Sequence, residues 1–211
     1  MKGSISIIVV DDHAVVRNGL RAYLATQTGF EVVGEATTGE EAIRLVSQFI
    51  PDVVLMDLIL PGITGVEATH RIKKISPRTH IVVLTSSTDD SLIFSAFKAG
   101  ADAYILKDMK MDNLTVAIQR TVHGEVTLLP RIAALILTNW QTFGDEDDSS
   151  PFTLTELEVN VLNLTAKGFS NRKISDELSI TESKVNGHLN NILIKLHLAG
   201  RTLTAVDTPN K

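Results

Sequence analysis

The chain contains no cysteine among its 211 residues. That absence removes thiol nucleophiles, cysteine zinc sites and disulfides together, and whatever chemistry the chain performs must use oxygen and nitrogen ligands. It fits a reducing cytoplasm. There is also no apolar run near the roughly 18–20 residues of a membrane span, and Met1-Lys2-Gly3-Ser4 followed only by Ile5 to Val10 is too short for a signal peptide. A cytoplasmic protein with no membrane partner is expected. Glycine and proline are modest, 13 and 6 residues, and the composition is 44% hydrophobic and 21% charged, so disorder and collagen-like repeats are excluded for the bulk. Basic excess is missing too. A formal net charge of -5 argues against nucleic acid as a partner when taken over the whole chain.

What is present is an alternation. Short β-rich runs lie at Ile5–Val10, Glu31–Ala36, Val53–Met56, His80–Leu84 and Ala103–Leu106, and the segments between them carry helical periodicity. Thr38-Gly39 and Thr88-Asp89-Asp90 read as helix starts, Gly100 as a stop, and a fifth helix is expected from about Met111 to His123. Five strands alternating with helices predict an α/β, doubly wound, five-stranded parallel sheet of the flavodoxin-like kind over residues 1–124. Residues 125–151 read as a connecting helix, Arg131 to Trp140, and a solvated acidic linker, Gly144 to Pro151. Residues 152–211 read as an all-helical unit with helices at Thr155–Ala166, Ser170–Leu178 and Thr181–Leu196, and a short tail helix near Gly200–Val206.

In an open α/β sheet, ligands bind outside the carboxyl ends of the strands. Asp11 and Asp12 end the first strand and Asp57 the third, a hard-oxygen cluster suited to Mg²⁺. Thr85 ends the fourth strand and Lys107 follows the fifth. A metal, a hydroxyl and an ammonium facing one carboxylate stabilise charge on a transferred phosphoryl group, with Asp57 available as nucleophile. Each residue alone has a plainer role, as a helix cap or a solvated turn. Tyr104 alone reads equally well as a half-buried strand residue.

The segments Val9-Val10-Asp11-Asp12-His13, Leu55-Met56-Asp57-Leu58-Ile59-Leu60-Pro61-Gly62, Val83-Leu84-Thr85-Ser86 and Gly100-Ala101-Asp102-Ala103-Tyr104-Ile105-Leu106-Lys107 closely resemble the receiver domain of two-component response regulators. The resemblance implies that Asp57 takes a phosphoryl group from a histidine kinase. It further implies that Asp12, Asp57 and the backbone carbonyl of Ile59 hold Mg²⁺, with Asp11 completing the acidic pocket. Thr85 and Lys107 would bind the phosphoryl oxygens, and Tyr104 would be the switch aromatic. Ile63-Thr64-Gly65 replaces a more usual Met-Asp-Gly, with the glycines kept.

In the second unit, Thr155 with Glu158 three residues on forms a capping-box pattern, and two short helices separated by Ser179-Ile180-Thr181 suggest a helix-turn-helix. The residues from Leu154-Thr155 through Gly168-Phe169-Ser170-Asn171, Leu178-Ser179-Ile180, Val185, His188 and Lys195-Leu196 to Arg201-Thr202 resemble the LuxR-type helix-turn-helix, and the whole chain resembles a NarL/FixJ-family response regulator. The family implies a DNA-binding transcription regulator, often dimeric when phosphorylated, with promoter DNA as partner.

On a helical wheel Val185, Leu189, Ile192 and Leu196 fall on one side, which faces the core. The other side presents Gly187, Asn190 and Asn191, flanked by Lys184, His188 and Lys195, residue types that read bases or meet phosphates. The usual Thr-Val-Lys-x-His is here Lys184-Val185-Asn186-Gly187-His188. Asn186 therefore stands where a lysine is expected and joins the set of DNA-binding candidates. Lys184 sits about 200° away around the helix and does not replace that lysine. Gly187 costs a helix roughly 1 kcal/mol against alanine; it either permits close backbone approach or is merely tolerated.

From residue 151 onward there are seven basic residues (Lys167, Arg172, Lys173, Lys184, Lys195, Arg201, Lys211) and six acidic ones (Glu156, Glu158, Asp176, Glu177, Glu182, Asp207), so the module is net +1 and residues 1–150 carry -6. Weak DNA binding by the monomer is predicted, with dimerisation needed to make it useful. A competing reading is a signalling protein that acts by protein contacts and carries a degenerate DNA module. A Mg²⁺-dependent phosphatase fits the carboxylates but not the second unit, so no enzyme activity is expected.

Overall fold

The computed structural model describes residues 3–108, 110–126, 128–143 and 153–206, with the side chains of 139–143 and 199–206 excepted. The elements run β1 (Ile5–Val10), α1 (Ala14–Ala25), β2 (Phe30–Ala36), α2 (Gly39–Phe49), β3 (Val53–Met56), α3 (Gly65–Ile75), β4 (His80–Thr85), α4 (Asp90–Ala99), β5 (Ala103–Leu106), α5 (Met111–Val122), α6 (Pro130–Phe143), α7 (Glu156–Ala166), α8 (Asn171–Leu178) and α9 (Glu182–Val206). The sheet order is β2-β1-β3-β4-β5 and every pairing is parallel, as expected from the alternation.

Both faces of the sheet are buried along most of β1, β3, β4 and β5, which is why these strands read as largely apolar runs, whereas edge strand β2 is half-exposed and carries Glu31 and Glu35. One face is built from Ile7, Val9, Val53, Leu55, Val82 and Ile105, and Leu20 and Leu24 of α1 and Leu114 and Ile118 of α5 cover it. On the other face Ile8, Val10, Val54 and Met56 are equally buried, and α2 packs against β1 and β2 with α3 beside it. Side-chain caps set the starts of these helices: Thr38 Oγ1 accepts from Glu41 N and Thr64 Oγ1 from Glu67 N, both at 3.2 Å.

The chain enters β1, turns to one edge through β2, then crosses to β3 on the other side of β1. The direction of winding therefore reverses between β1 and β3, and their carboxyl ends open a crevice there. Val10 pairs with Met56, so the residues that follow, Asp11 and Asp57, emerge side by side.

Two compact units result. One comprises the described residues up to Thr88 together with Ala99–His123; the other comprises Asp89–Lys98 and those from Gly124 onward. The segment Asp89–Lys98, nearly all of α4, groups with the second unit, where Asp90 Oδ1 lies 3.5 Å from Arg131 Nε of α6. In the second unit α6 packs on α7, and α7, α8 and α9 pack mutually around Val161, Leu162, Ile174, Val185, Leu189 and Ile192. The separate tail helix expected near Gly200–Val206 is instead the end of α9, which runs unbroken to Val206. One glycine in a helix interior costs too little to stop it. The acidic linker, Gly144 to Pro151, falls outside the described residues.

Candidate functional site

At the sheet crevice, Asp11 is 1% exposed and Asp57 4% exposed. Asp11 Oδ1 accepts from His13 N at 2.9 Å, and Asp57 Oδ1 from Ile59 N at 3.3 Å. Gly65 lets α3 start directly over this floor: a Cβ there would lie 2.0 Å from the backbone oxygen of Asp57. The change to Ile63-Thr64-Gly65 therefore keeps the one residue the geometry demands, and Thr64 supplies the helix cap.

Lys107 reaches in from the end of β5. Its Nζ donates to Asp57 Oδ2 at 2.6 Å and forms an ion pair of the same length with Asp11 Oδ2, misaligned for a hydrogen bond. Burial works to lower the lysine pKa, but the two carboxylates outweigh it and hold the ammonium above its ordinary value. Thr85 is fully buried at the end of β4, and its Oγ1 accepts from Ser87 N at 3.2 Å. Tyr104 is buried as well, and its hydroxyl donates to the Ser87 carbonyl. Thr85 and Tyr104 thus grip the two ends of one peptide residue in the β4–α4 loop, a link the sequence does not disclose.

The pocket fits a divalent cation. One donor atom each from Asp11, Asp12, His13 and Asp57 lies within 4.8 Å of the others, and buried Asp11 Oδ2 has no hydrogen-bond partner among the described residues. Three carboxylates against one ammonium leave two uncompensated negative charges. Carboxylate oxygen suits a hard ion such as Mg²⁺. His13 was not among the expected site residues, yet its Nδ1 lies 2.6 Å from Asp12 Oδ1 and 3.3 Å from Asp11 Oδ1; its place directly after the acidic pair was the available signal.

In the second unit, the capping box forms: Glu158 N donates to Thr155 Oγ1 at 3.3 Å, and Thr155 N donates to Glu158 Oε2 at 2.7 Å. Ser179 takes the left-handed conformation, φ 55°, and closes the turn between α8 and α9. Lys184, Gly187, Asn190 and Asn191 are exposed on α9, and His188 is half-buried. The other two candidates point elsewhere. Asn186 is half-buried and its Oδ1 accepts from Asn171 Nδ2 at 2.8 Å. Lys195 folds inward, donating to Glu158 Oε2 at 2.6 Å and to the Thr153 carbonyl at 2.9 Å.

Two family models match the chain: the response regulator receiver domain over residues 7–119, and the luxR family of bacterial regulatory proteins over residues 152–206. The chain belongs to the NarL/LuxR family of response regulators. Curated relatives of this response regulator extend along nearly its whole length. The transcriptional regulatory protein YhcZ of Bacillus subtilis is 42% identical over 95% of this chain and 93% of its own, and LiaR of the same organism is 40% identical over 96% and 95%. Among solved structures, the response regulator ChrA of a heme-sensing two-component system is 31% identical and covers 96% of this chain and 98% of its own, with a TM-score of 0.53. A LuxR-family regulator from Aurantimonas sp. SI85-9A1 is 36% identical over 65% of this chain and 98% of its own, with a TM-score of 0.59. The regulator therefore carries a receiver domain and a LuxR-type DNA-binding domain, as the transcription regulators of two-component systems do. Among the described residues no helix is long and apolar enough to cross a membrane.

Proposed function

We propose that Asp57 is the phosphoacceptor of this regulator and that its phosphorylation controls DNA binding by α9 in the cytoplasm. A carboxylate oxygen of Asp57 attacks the phosphorus of a kinase phosphohistidine; the O–P bond forms as the N–P bond breaks, and the electron pair leaves with the imidazole. Asp12, Asp57 and the Ile59 carbonyl would hold Mg²⁺, with Asp11 beside them, and the ion would neutralise charge on the phosphoryl oxygens and on the pocket. Lys107, already drawn to Asp57, shifts its ammonium to a phosphoryl oxygen. Thr85 turns its hydroxyl toward the same group and so releases Ser87 N. Because Tyr104 holds the other end of Ser87, the loop cannot move at Thr85 without moving at Tyr104, and the signal leaves the pocket along this loop.

The observation that carries this reading is the single ammonium of Lys107 within 2.6 Å of both Asp57 and Asp11, a counter-charge placed where phosphoryl oxygens would arrive. Lys184, Gly187, His188, Asn190 and Asn191 form the proposed duplex-facing surface. With few cations on it, a homodimer on paired half-sites is needed for useful affinity. The regulator acts through one phosphorylation event and not as a metabolic catalyst. Acetyl phosphate labelling tests the reading. Asp57→Ala abolishes both the label and the phosphorylation-dependent gain in duplex protection, and chelation of divalent cations stops labelling of the wild type. A label that survives Asp57→Ala refutes the assignment.

A further inference from the structure

We infer that Asn186 serves DNA reading as a positioning residue, locked to Asn171 across the helix-turn-helix, and does not itself contact the duplex. The inference rests on α9 being the reading helix and goes beyond it by assigning the residue that sets its angle. Asn171 is the first residue of α8 and Asn186 lies in the second turn of α9; their amides meet at 2.8 Å. The covalent connection between the two helices is the short turn through Ser179, Ile180 and Thr181, at the opposite end of α8. Apolar packing on α7 and α8 holds α9 in place but, being non-directional, does not by itself fix its angle sharply. A hydrogen bond about two helical turns from that turn along α8 adds a directional attachment that does. Ile174 and Val185, both fully buried, fill the space between the two attachments, so the amide pair closes a packed seam.

The chemistry agrees. An asparagine reads adenine with both amide atoms, the oxygen accepting from N6 and the nitrogen donating to N7. Asn186 has its oxygen engaged by Asn171 and is half-buried, whereas Asn190 and Asn191 are exposed and, among the described residues, keep both atoms for a base. The chain thus has an interhelical clamp at the position where its family usually has a lysine. A phosphate contact is exchanged for rigidity, which serves specificity more than affinity.

The test uses the full-length chain, a short duplex recovered from a randomised library by selection on the wild type, and poly(dI-dC) as the non-specific competitor. Anisotropy titrations at several salt concentrations give the specific-to-non-specific affinity ratio and the salt slope. Asn186→Ala and Asn171→Ala should each lower the ratio roughly two- to tenfold, with the double variant no worse than either single one. The salt slope and the circular dichroism spectrum should stay unchanged, since no phosphate contact and no helix is lost. Asn186→Asp keeps an oxygen for Asn171 Nδ2 and retains the ratio. A flatter salt slope in Asn186→Ala with Asn171→Ala silent identifies Asn186 as a direct contact and overturns the clamp. Additive singles, or two silent singles, overturn it equally. Failure of the wild type to select any duplex defeats the reading of α9 itself, and that result is separable from all the others.

Discussion

Lys195→Met separates two roles that one lysine cannot fill together. Glu158 is 3% exposed, and its Oε2 accepts from Thr155 N, Thr155 Oγ1 and Lys195 Nζ. Burial pushes its carboxyl up, but the Lys195 ammonium and the Thr155 donors outweigh that and hold it below its ordinary 4.5. Methionine keeps the packing of the lysine stem and deletes the charge. Losing one hydrogen bond to a charged group costs about 1.5–3 kcal/mol, and orphaning one partner of a buried pair about 3–5 kcal/mol. The two surviving Thr155 donors keep the loss in the lower of these ranges, about 2–3 kcal/mol. In a domain of roughly 60–100 residues a loss of this size lowers the melting temperature by about 10–20 °C, read by calorimetry on the full chain. The pH dependence has a definite sign. A depressed carboxyl contributes stability above its unfolded value near 4.5 and loses it as pH falls through the folded value. The gap between wild type and variant is therefore widest at neutral pH and closes in acid, where protonation removes the orphaned charge. Glu158→Gln added to Lys195→Met recovers part of the loss at neutral pH. An unchanged melting temperature together with a salt slope flatter by about one unit would show that Lys195 is a phosphate contact and refute the reasoning.

Three further outcomes are expected. Asp102 accepts from Lys73 Nζ and Ile81 N, both at 2.8 Å; burial pushes its carboxyl up, but His80 and Lys73 outweigh that and hold it at about 2, against an ordinary 3.8. Its contribution of about 2 kcal/mol to the receiver is complete above pH 4 and disappears as pH falls toward 2. Urea midpoints should show Asp102→Asn weaker at neutral pH and level with the wild type in strong acid. Lys107→Met leaves Asp11 and Asp57 facing each other without a counter-charge, so the receiver should melt lower in chelator and recover more on Mg²⁺ addition than the wild type does; equal Mg²⁺ shifts would count against the shared pocket. Gly187→Ala meets nothing within 4 Å inside the chain, so it should stabilise the module by up to about 1 kcal/mol. If the glycine admits the duplex backbone, the same variant binds the selected duplex more weakly, and unchanged binding would show the glycine to be merely tolerated.

The receiver was legible because its information lies in short contiguous runs. A buried parallel strand must be apolar on both faces, so the interior strands announce themselves, and the residues at their carboxyl ends are placed at the crevice by topology alone. Asp11, Asp57, Thr85 and Lys107 follow from strand ends in this way. The Ser87 link between Thr85 and Tyr104 does not, because it joins a backbone carbonyl to a hydroxyl 17 residues away and leaves no trace in residue type.

The DNA-binding module shows the same limit from the other side. Its helical wheel correctly buried Val185, Leu189, Ile192 and Leu196, since the apolar face of a helix follows from periodicity. The wheel gives a direction for each polar side chain but not its partner. Lys195 lies beside the apolar seam, close enough for a four-carbon stem to carry its ammonium back to Glu158, and Asn186 is near enough to α8 to find Asn171. Both are borderline positions where a few ångströms of side chain decide between solvent and the chain itself. A polar residue at the edge of a helical face is therefore assigned to DNA safely only after its intrachain partners are known. Applied here, that criterion leaves Lys184 as the one lysine of α9 among the described side chains that is not committed to the fold, and it makes the proposed dependence on dimerisation a consequence of charge count.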